Sequence, residues 1–188
     1  MNKIPDVLEK KFEELEQTQH DFWNVSRQTG NFLNMLVKMN NSRSILEIGT
    51  SNGYSGLWFL DALKTTGGHL TTLEYYDKRQ SIARANFDLC GFSGMYTPIL
   101  GDACENIEKF NDDANFDFVF IDANKRDYVR NFELIKSHLL PHAIIAADNV
   151  NSHREKVQTY LDAIIKDSDF QTEILDLPAG LSVSYKLC

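Results

Sequence analysis

A chain of 188 residues with 43% hydrophobic and 24% charged content fits one compact domain with a full core and carries no sign of disorder. Its formal net charge of −8 weighs against nucleic-acid or anionic-membrane surfaces, which need clustered Lys and Arg, and favours a small-molecule partner. Cys90, Cys104 and Cys188 form neither a metal motif nor an even disulfide framework, so they read as buried free thiols in a reducing cytoplasm.

The start, Met1-Asn-Lys-Ile-Pro-Asp6, opens a charged amphipathic segment, and no run approaches the roughly 18 apolar residues of a membrane span. A helix over about 6 to 20 places Leu8, Phe12 and Leu15 on one face. A second, over about 26 to 40, does the same with Phe32, Leu33, Leu36, Val37 and Met39. These leading helices would cover a substrate or form a dimer face. Strands and helices then alternate: strand 44 to 48, helix 54 to 65, strand 69 to 74, helix 77 to 90, strand 96 to 100 and a short helix near 103 to 110. Strand 116 to 121 follows, then a helix over 127 to 139 with Tyr128, Phe132, Ile135 and Leu139 inward, and strand 143 to 147. Ser152-His-Arg-Glu155 reads as a capping box opening a helix whose Val157, Tyr160, Leu161, Ile164 and Ile165 share a stripe. Between Thr172 and Leu187 there is room only for two strands around Pro178-Ala-Gly180. The predicted fold is therefore α/β, a Rossmann-like doubly wound sheet. It has five parallel strands and a carboxyl-terminal antiparallel hairpin, seven strands in all, with helices on both faces of a single domain, 1 to 188.

Two strands end abruptly in acids: Phe116-Asp-Phe-Val-Phe-Ile-Asp122 and Ala143-Ile-Ile-Ala-Ala-Asp148-Asn149. Ligands of open α/β sheets bind at that edge. Asp122, Asp148 and Asn149 would offer hard oxygen ligands suited to Mg²⁺ or a similar divalent cation such as Mn²⁺ or Ca²⁺, with Lys125 overhanging the spot. Glu47-Ile-Gly49-Thr-Ser-Asn-Gly53-Tyr-Ser55 joins the first strand to its helix, and its glycines allow a tight turn and close backbone approach to a ligand. Glu74 ends the second strand, where doubly wound folds place the acid that accepts from a ribose diol; Asp102 and Ala103, after the third, could read an adenine edge. The turn is Gly-x-x-x-Gly rather than Gly-x-Gly-x-x-Gly, and Glu74 lies far beyond it, which argues against NAD.

Leu46-Glu-Ile-Gly-Thr50 with Gly53-Tyr-Ser55, Thr72-Leu-Glu74, Gly101-Asp-Ala103, Phe118-Val-Phe-Ile-Asp-Ala123 with Lys125, and Ala147-Asp-Asn-Val150 jointly resemble the metal-dependent class I O-methyltransferases that use S-adenosylmethionine, including the catechol and caffeoyl-CoA enzymes. The resemblance runs from about Val25 to the carboxyl terminus. It implies that Glu47, Gly49, Thr50 and Ser55 contact the methionine part of the cofactor, Glu74 the ribose, and Asp102 with Ala103 the adenine, while Val25 lines the pocket. It also places Asp122, Asp148 and Asn149 on the metal ligands and Lys125 on the catalytic lysine. The chain departs from the family pattern at Asn124, a polar cofactor contact where an acid is usual. Further departures are His142-Ala143 after Pro141, Asn151-Ser-His153 running straight into a helix, and the short turn at Pro178-Ala-Gly180.

The implied activity is methyl transfer to a catechol-like vicinal hydroxyl of a small molecule. The rivals are transfer to a hydroxylated tRNA base, for which Lys125-Arg126 with Arg130 would be the small basic patch, and a nonenzymatic cofactor-binding protein. The five histidines lack ligand spacing; His153 alone lies near the proposed mouth.

Overall fold

The computed structural model describes residues 5–188. Met1 to Ile4, where the amphipathic segment was expected to begin, lie outside the described residues. Strands β1 (Ser44–Ile48), β2 (His69–Glu74), β3 (Tyr96–Leu100), β4 (Phe116–Ile121), β5 (Leu139–Asp148), β6 (Phe170–Leu175) and β7 (Leu181–Lys186) form one sheet in the order β3-β2-β1-β4-β5-β7-β6. The first five strands are mutually parallel, and β7 runs antiparallel to both β5 and β6. The order reverses between β1 and β4, so the crevice at their carboxyl ends is the topological switch point where such sheets bind ligands.

Alternation along the strands fills two cores. Ile45, Phe118, Phe120, Ile144 and Ala146 point to one face, where helices α1 (Asp6–Gln17), α3 (Arg27–Met39), α4 (Tyr54–Thr66) and α5 (Asp77–Leu89) pack. Leu46, Ile48, Val119, Ile121, Ile145 and Ala147 point to the other, against α6 (Ala103–Ile107), α7 (Tyr128–Ile135) and α8 (Arg154–Lys166). A strand segment buried on both sides must be apolar, which is why Phe118 to Ile121 of β4 and Ala143 to Ala147 of β5 read as unbroken hydrophobic runs.

Several elements end elsewhere than periodicity predicts. The first helix stops at Gln17, and after Thr18 a four-residue helix α2 (Gln19–Phe22) ends at Trp23 in the left-handed conformation, φ 55°. The helix expected over 127 to 139 has 3-10 turns at both ends (Lys125–Asp127 and Lys136–His138), and Leu139 already belongs to β5. Pro141 has no N–H to donate and His142 sits at φ 66°, so the β4–β5 ladder is interrupted between Phe116 and Phe118 and resumes at Ile144. The capping box does not form. His153 occupies the cap position of α8 without a side-chain cap bond, because the turn after Asp148 carries Ser152 past it, where its hydroxyl meets His153 Nδ1 instead. Ile165 and Met39 are 51% and 74% exposed; Ile165 lies about 100° around its helix from Ile164, and Met39 about 160° from Val37. Cys90 and Cys104 are buried as expected, but Cys188 is exposed.

The leading helix is fastened by aromatic stacking. Phe12 lies flat on Trp58 at 4.0 Å, 13° between planes, and edge-on to Tyr54. Phe12 is fully buried, so Phe12→Ala should cost about 3–5 kcal/mol. Urea unfolding is expected to show a lowered midpoint at unchanged slope; a stability within experimental error of the wild type would show that this stack does not hold α1.

Candidate active site

The β1–α4 turn is shaped by one glycine. Gly49 has φ 104°, and a Cβ there would lie 2.2 Å from the Asp122 carbonyl oxygen, so the turn passes directly against the end of β4. Gly49 and Thr50 donate their N–H groups to Leu73 O at 2.9 and 3.1 Å, and Asp122 N–H donates to Ile48 O at 2.9 Å. These bonds hold three strand ends level around a cavity of about 560 Å³. Among the residues that the sequence singles out, Val25, Gly49, Thr50, Ser55, Glu74, Asp102, Ala103, Asp122, Asn124 and Lys125 line it. Glu47, Asp148 and Asn149 do not.

Glu47 lies beneath the turn, fully buried. Its carboxyl oxygens accept from Ser55 Oγ at 2.6 Å and Thr72 Oγ1 at 2.5 Å, and Thr50 shares the Thr72 hydroxyl. Burial pushes its pKa up to about 8; the two hydroxyl donors pull the other way without offsetting it, and the charges of Asp122 and Glu74 raise it further. Glu74 is nearly buried and receives Ser51 N–H at 2.8 Å and Tyr76 N–H at 2.9 Å on separate oxygens. Each oxygen keeps a lone pair for a further donor from the cavity. Asp102 caps the short helix α6 by accepting from Glu105 N–H at 3.0 Å, and Asn124 bonds Asp127 Oδ2 at 2.7 Å.

At the other end of the cavity, parallel register sets Ile121 beside Ala147. The next residues, Asp122 and Asp148, therefore emerge side by side from strands about 4.8 Å apart. Lys125 Nζ donates to Asp122 Oδ1 at 2.8 Å. Asp148 is nearly buried, and its Oδ1 has no hydrogen-bond partner among the described residues. Burial first, and then the charge of Asp122, raise its pKa. A buried carboxylate oxygen without a donor, next to a second carboxylate and an amide, is the donor set of a hard divalent cation, so these residues fit such an ion. Asn149 follows at φ 63°, and the segment beyond it is tied to the hairpin loop by Val150 N–H to Gly180 O and Asn151 N–H to Ala179 O, both 3.1 Å. A Cβ at Gly180 would meet Asn151 at 2.5 Å, which requires the short loop to carry glycine there. His153 lies within the field of Asp122 and Lys125; partial burial and then Lys125 and Lys156 hold its pKa below the usual value. In the basic patch proposed for RNA, Lys125 is paired with Asp122 and Arg130 with Glu108.

Sequence reasoning did not find Phe22, Trp23, Tyr76 and Arg79 at the mouth, or Cys104 and Asn131 in the wall. The available signal was Tyr75-Tyr76, two aromatic residues directly after an acid at a strand end.

Glu47 carries a pH signature. Its carboxyl stays protonated in the fold while the unfolded chain ionises near 4.5. The native state therefore binds more protons between that value and about 8, and stability falls as pH rises through the window. Urea unfolding from about pH 5 to about pH 8 should show this decline, and Glu47→Gln should flatten it; the same slope in both proteins would mean that Glu47 is not protonated.

The model of the O-methyltransferase family matches residues 3–169. The chain is 35% identical over 128 residues to a catechol O-methyltransferase of Niastella koreensis, covering 67% of this chain and 58% of that protein. A catechol O-methyltransferase of Mycobacterium tuberculosis is 33% identical over 126 residues, covering 67% and 56%. The chain thus spans little more than half the length of these relatives. The crystal structure of an O-methyltransferase from Bacillus cereus in complex with SAH superposes with a TM-score of 0.86 at 26% identity, over 99% of this chain and 93% of that one. With seven strands in this order, a glycine turn at the switch point and a matching family model over most of its length, the chain belongs to the O-methyltransferase family.

Proposed function

We propose that the protein is an S-adenosylmethionine-dependent, divalent-metal-dependent O-methyltransferase acting on one of two neighbouring hydroxyls of a catechol-like small molecule. The observation that carries the reading is the Asp122–Asp148 pair, whose Asp148 oxygen has no partner among the described residues, beside a cavity that Glu74 and the glycine turn also line. The family membership and the names of the relatives support it.

Glu74 would accept from the ribose hydroxyls. Gly49, Thr50, Ser55 and Val25 would enclose the amino-acid end, Asp102 and Ala103 would face the base, and Asn124 would close the rim. Glu47 stiffens the floor through Ser55 and Thr72 instead of meeting the cavity itself. Asp122, Asp148 and Asn149 would hold the cation. When bound, the cation supplies the Lewis acidity that lowers a hydroxyl's pKa, and S-adenosylmethionine supplies the methyl on a sulfonium leaving group. Lys125 would stand beside the acceptor's hydroxyl. Its Nζ donates to Asp122 and lies 5.6 Å from the Tyr128 ring centroid; as an ammonium it would steady the oxyanion, and as the neutral amine it would take the proton, in either form without searching for position. A hydroxyl without a neighbour offers the cation one oxygen instead of two and should react poorly.

Labelled S-adenosylmethionine, Mg²⁺ and a panel of catechols should give methyl transfer that a chelator abolishes, and Lys125→Met should lower kcat by about 10²–10⁴. Independently of turnover, Mg²⁺ or Mn²⁺ should raise the melting temperature of the wild type but not of Asp148→Asn. Undiminished transfer after chelation would refute the metal role, and transfer to tRNA but not to catechols would replace the substrate class.

A further inference from the structure

The rim of the cavity holds a cluster that the reading above does not use. Trp23 lines the cavity yet is 74% exposed, one of the most exposed large hydrophobic side chains among the described residues. Its backbone is left-handed, φ 55° and ψ 41°, a conformation that is strained for a non-glycine residue and persists only where its surroundings impose it. The surroundings do so here. Asn24 donates its N–H to Gln19 O at 3.0 Å and its Nδ2 to Leu15 O at 3.2 Å, and Ser51 Oγ donates to Phe22 O at 3.0 Å. The last bond ties the indole's segment to the glycine turn. The same Ser51 gives its N–H to Glu74, and Glu74 in turn takes the N–H of Tyr76. The segments that carry Trp23 and Tyr76 are thereby both tied to one carboxylate.

Between them stands Arg79. Its guanidinium lies 4.9 Å from the Trp23 ring centroid, 5.6 Å from Tyr76 and 5.9 Å from Phe22, and no carboxylate pairs with it among the described residues. A guanidinium held by aromatic faces orients them while leaving the opposite face of the indole free. An indole pinned in a strained conformation, mostly exposed and next to the ribose acid, has flat apolar surface left to bury against a ligand.

We propose that Trp23 is the outer jaw of the cofactor site, closing on the nucleoside that Glu74 holds, and that Arg79 is a positioning residue acting through it. The inference rests on the cofactor reading given under Proposed function. The indole then covers the sugar and base, shields the sulfonium end from water and slows release of the product nucleoside.

The test is calorimetric titration of the full chain with S-adenosylhomocysteine and with methylthioadenosine, which lacks the amino-acid tail. Trp23→Ala should weaken both by the same factor, about tenfold, mainly through faster dissociation, and Trp23→Phe should restore most of the loss. Trp23 emission should change on binding; the other tryptophan, Trp58, is buried. Arg79→Gln should weaken binding less, and the double variant should be no weaker than Trp23→Ala alone, as expected of a residue that works through the indole. Wild-type affinity in Trp23→Ala, or a loss confined to S-adenosylhomocysteine, would overturn the jaw while leaving the cofactor reading standing. Failure of the wild type to bind either nucleoside would remove the cofactor reading and the jaw together.

Discussion

Strand register is the constraint on which the site depends. Because Ile121 pairs with Ala147 and both strands run the same way, the two acids that follow must emerge together, and their repulsion is built into the sheet. A one-residue slip would turn every side chain of β4 to the other face and scatter both cores. The apolar alternation of Phe118, Phe120, Val119 and Ile121 between the two clusters therefore fixes the acids more firmly than any local bond does. The two carboxylates are compensated unequally. Lys125 neutralises Asp122, while the Tyr128 hydroxyl, 3.2 Å away, reaches only the backbone oxygen of Asp148. The buried oxygen left over on Asp148 finds no donor among the described residues.

A second polar network sits one strand away and follows the opposite logic. Around Glu47 every carboxyl oxygen is satisfied, the group is sealed from the cavity, and burial favours its neutral form. Glu74, one strand further out, is held by two backbone amides and opens to the cavity. The inner acid thus stiffens the floor and the outer one is presented to ligand. Preorganised polar groups of this kind cost no rearrangement when a ligand arrives, which is how a rigid sheet edge becomes a binding site.

The sequence makes the strands and their terminal acids readable because both follow from burial. A parallel strand covered on two faces has no place for a charge until it leaves the sheet, so Asp122, Asp148 and Glu74 mark their own positions. Local rules did less well. Ser152 and Glu155 have capping-box spacing, but the turn from Asn149 is tied to the hairpin loop at Ala179 and Gly180, and that tertiary tie moves the helix start beyond Ser152. Met39 and Ile165 satisfy helical periodicity loosely and lie beyond the edge of their stripes. Trp23 and Arg79 are 56 positions apart in sequence and meet only because Ser51 and Glu74 link their segments, so no spacing rule could have paired them. Glu47 and Ser55 could be read as one site, but that the first faces the protein and the second the cavity depends on side-chain direction around a left-handed glycine.

The charge of the cavity explains why these parts belong together. Glu74, Asp102, Asp122 and Asp127 line it, against Lys125 and Arg79. Lys125 is paired with Asp122, and Arg79 is turned toward aromatic faces. In a partly enclosed space of lowered dielectric the acids leave a negative field that favours cations and disfavours anionic ligands. A sulfonium methyl donor and a divalent ion are both cationic and would both be drawn into it, whereas an acceptor that arrived already ionised would be repelled. On the function proposed above, the acceptor would enter neutral and lose its proton inside the site, beside Lys125.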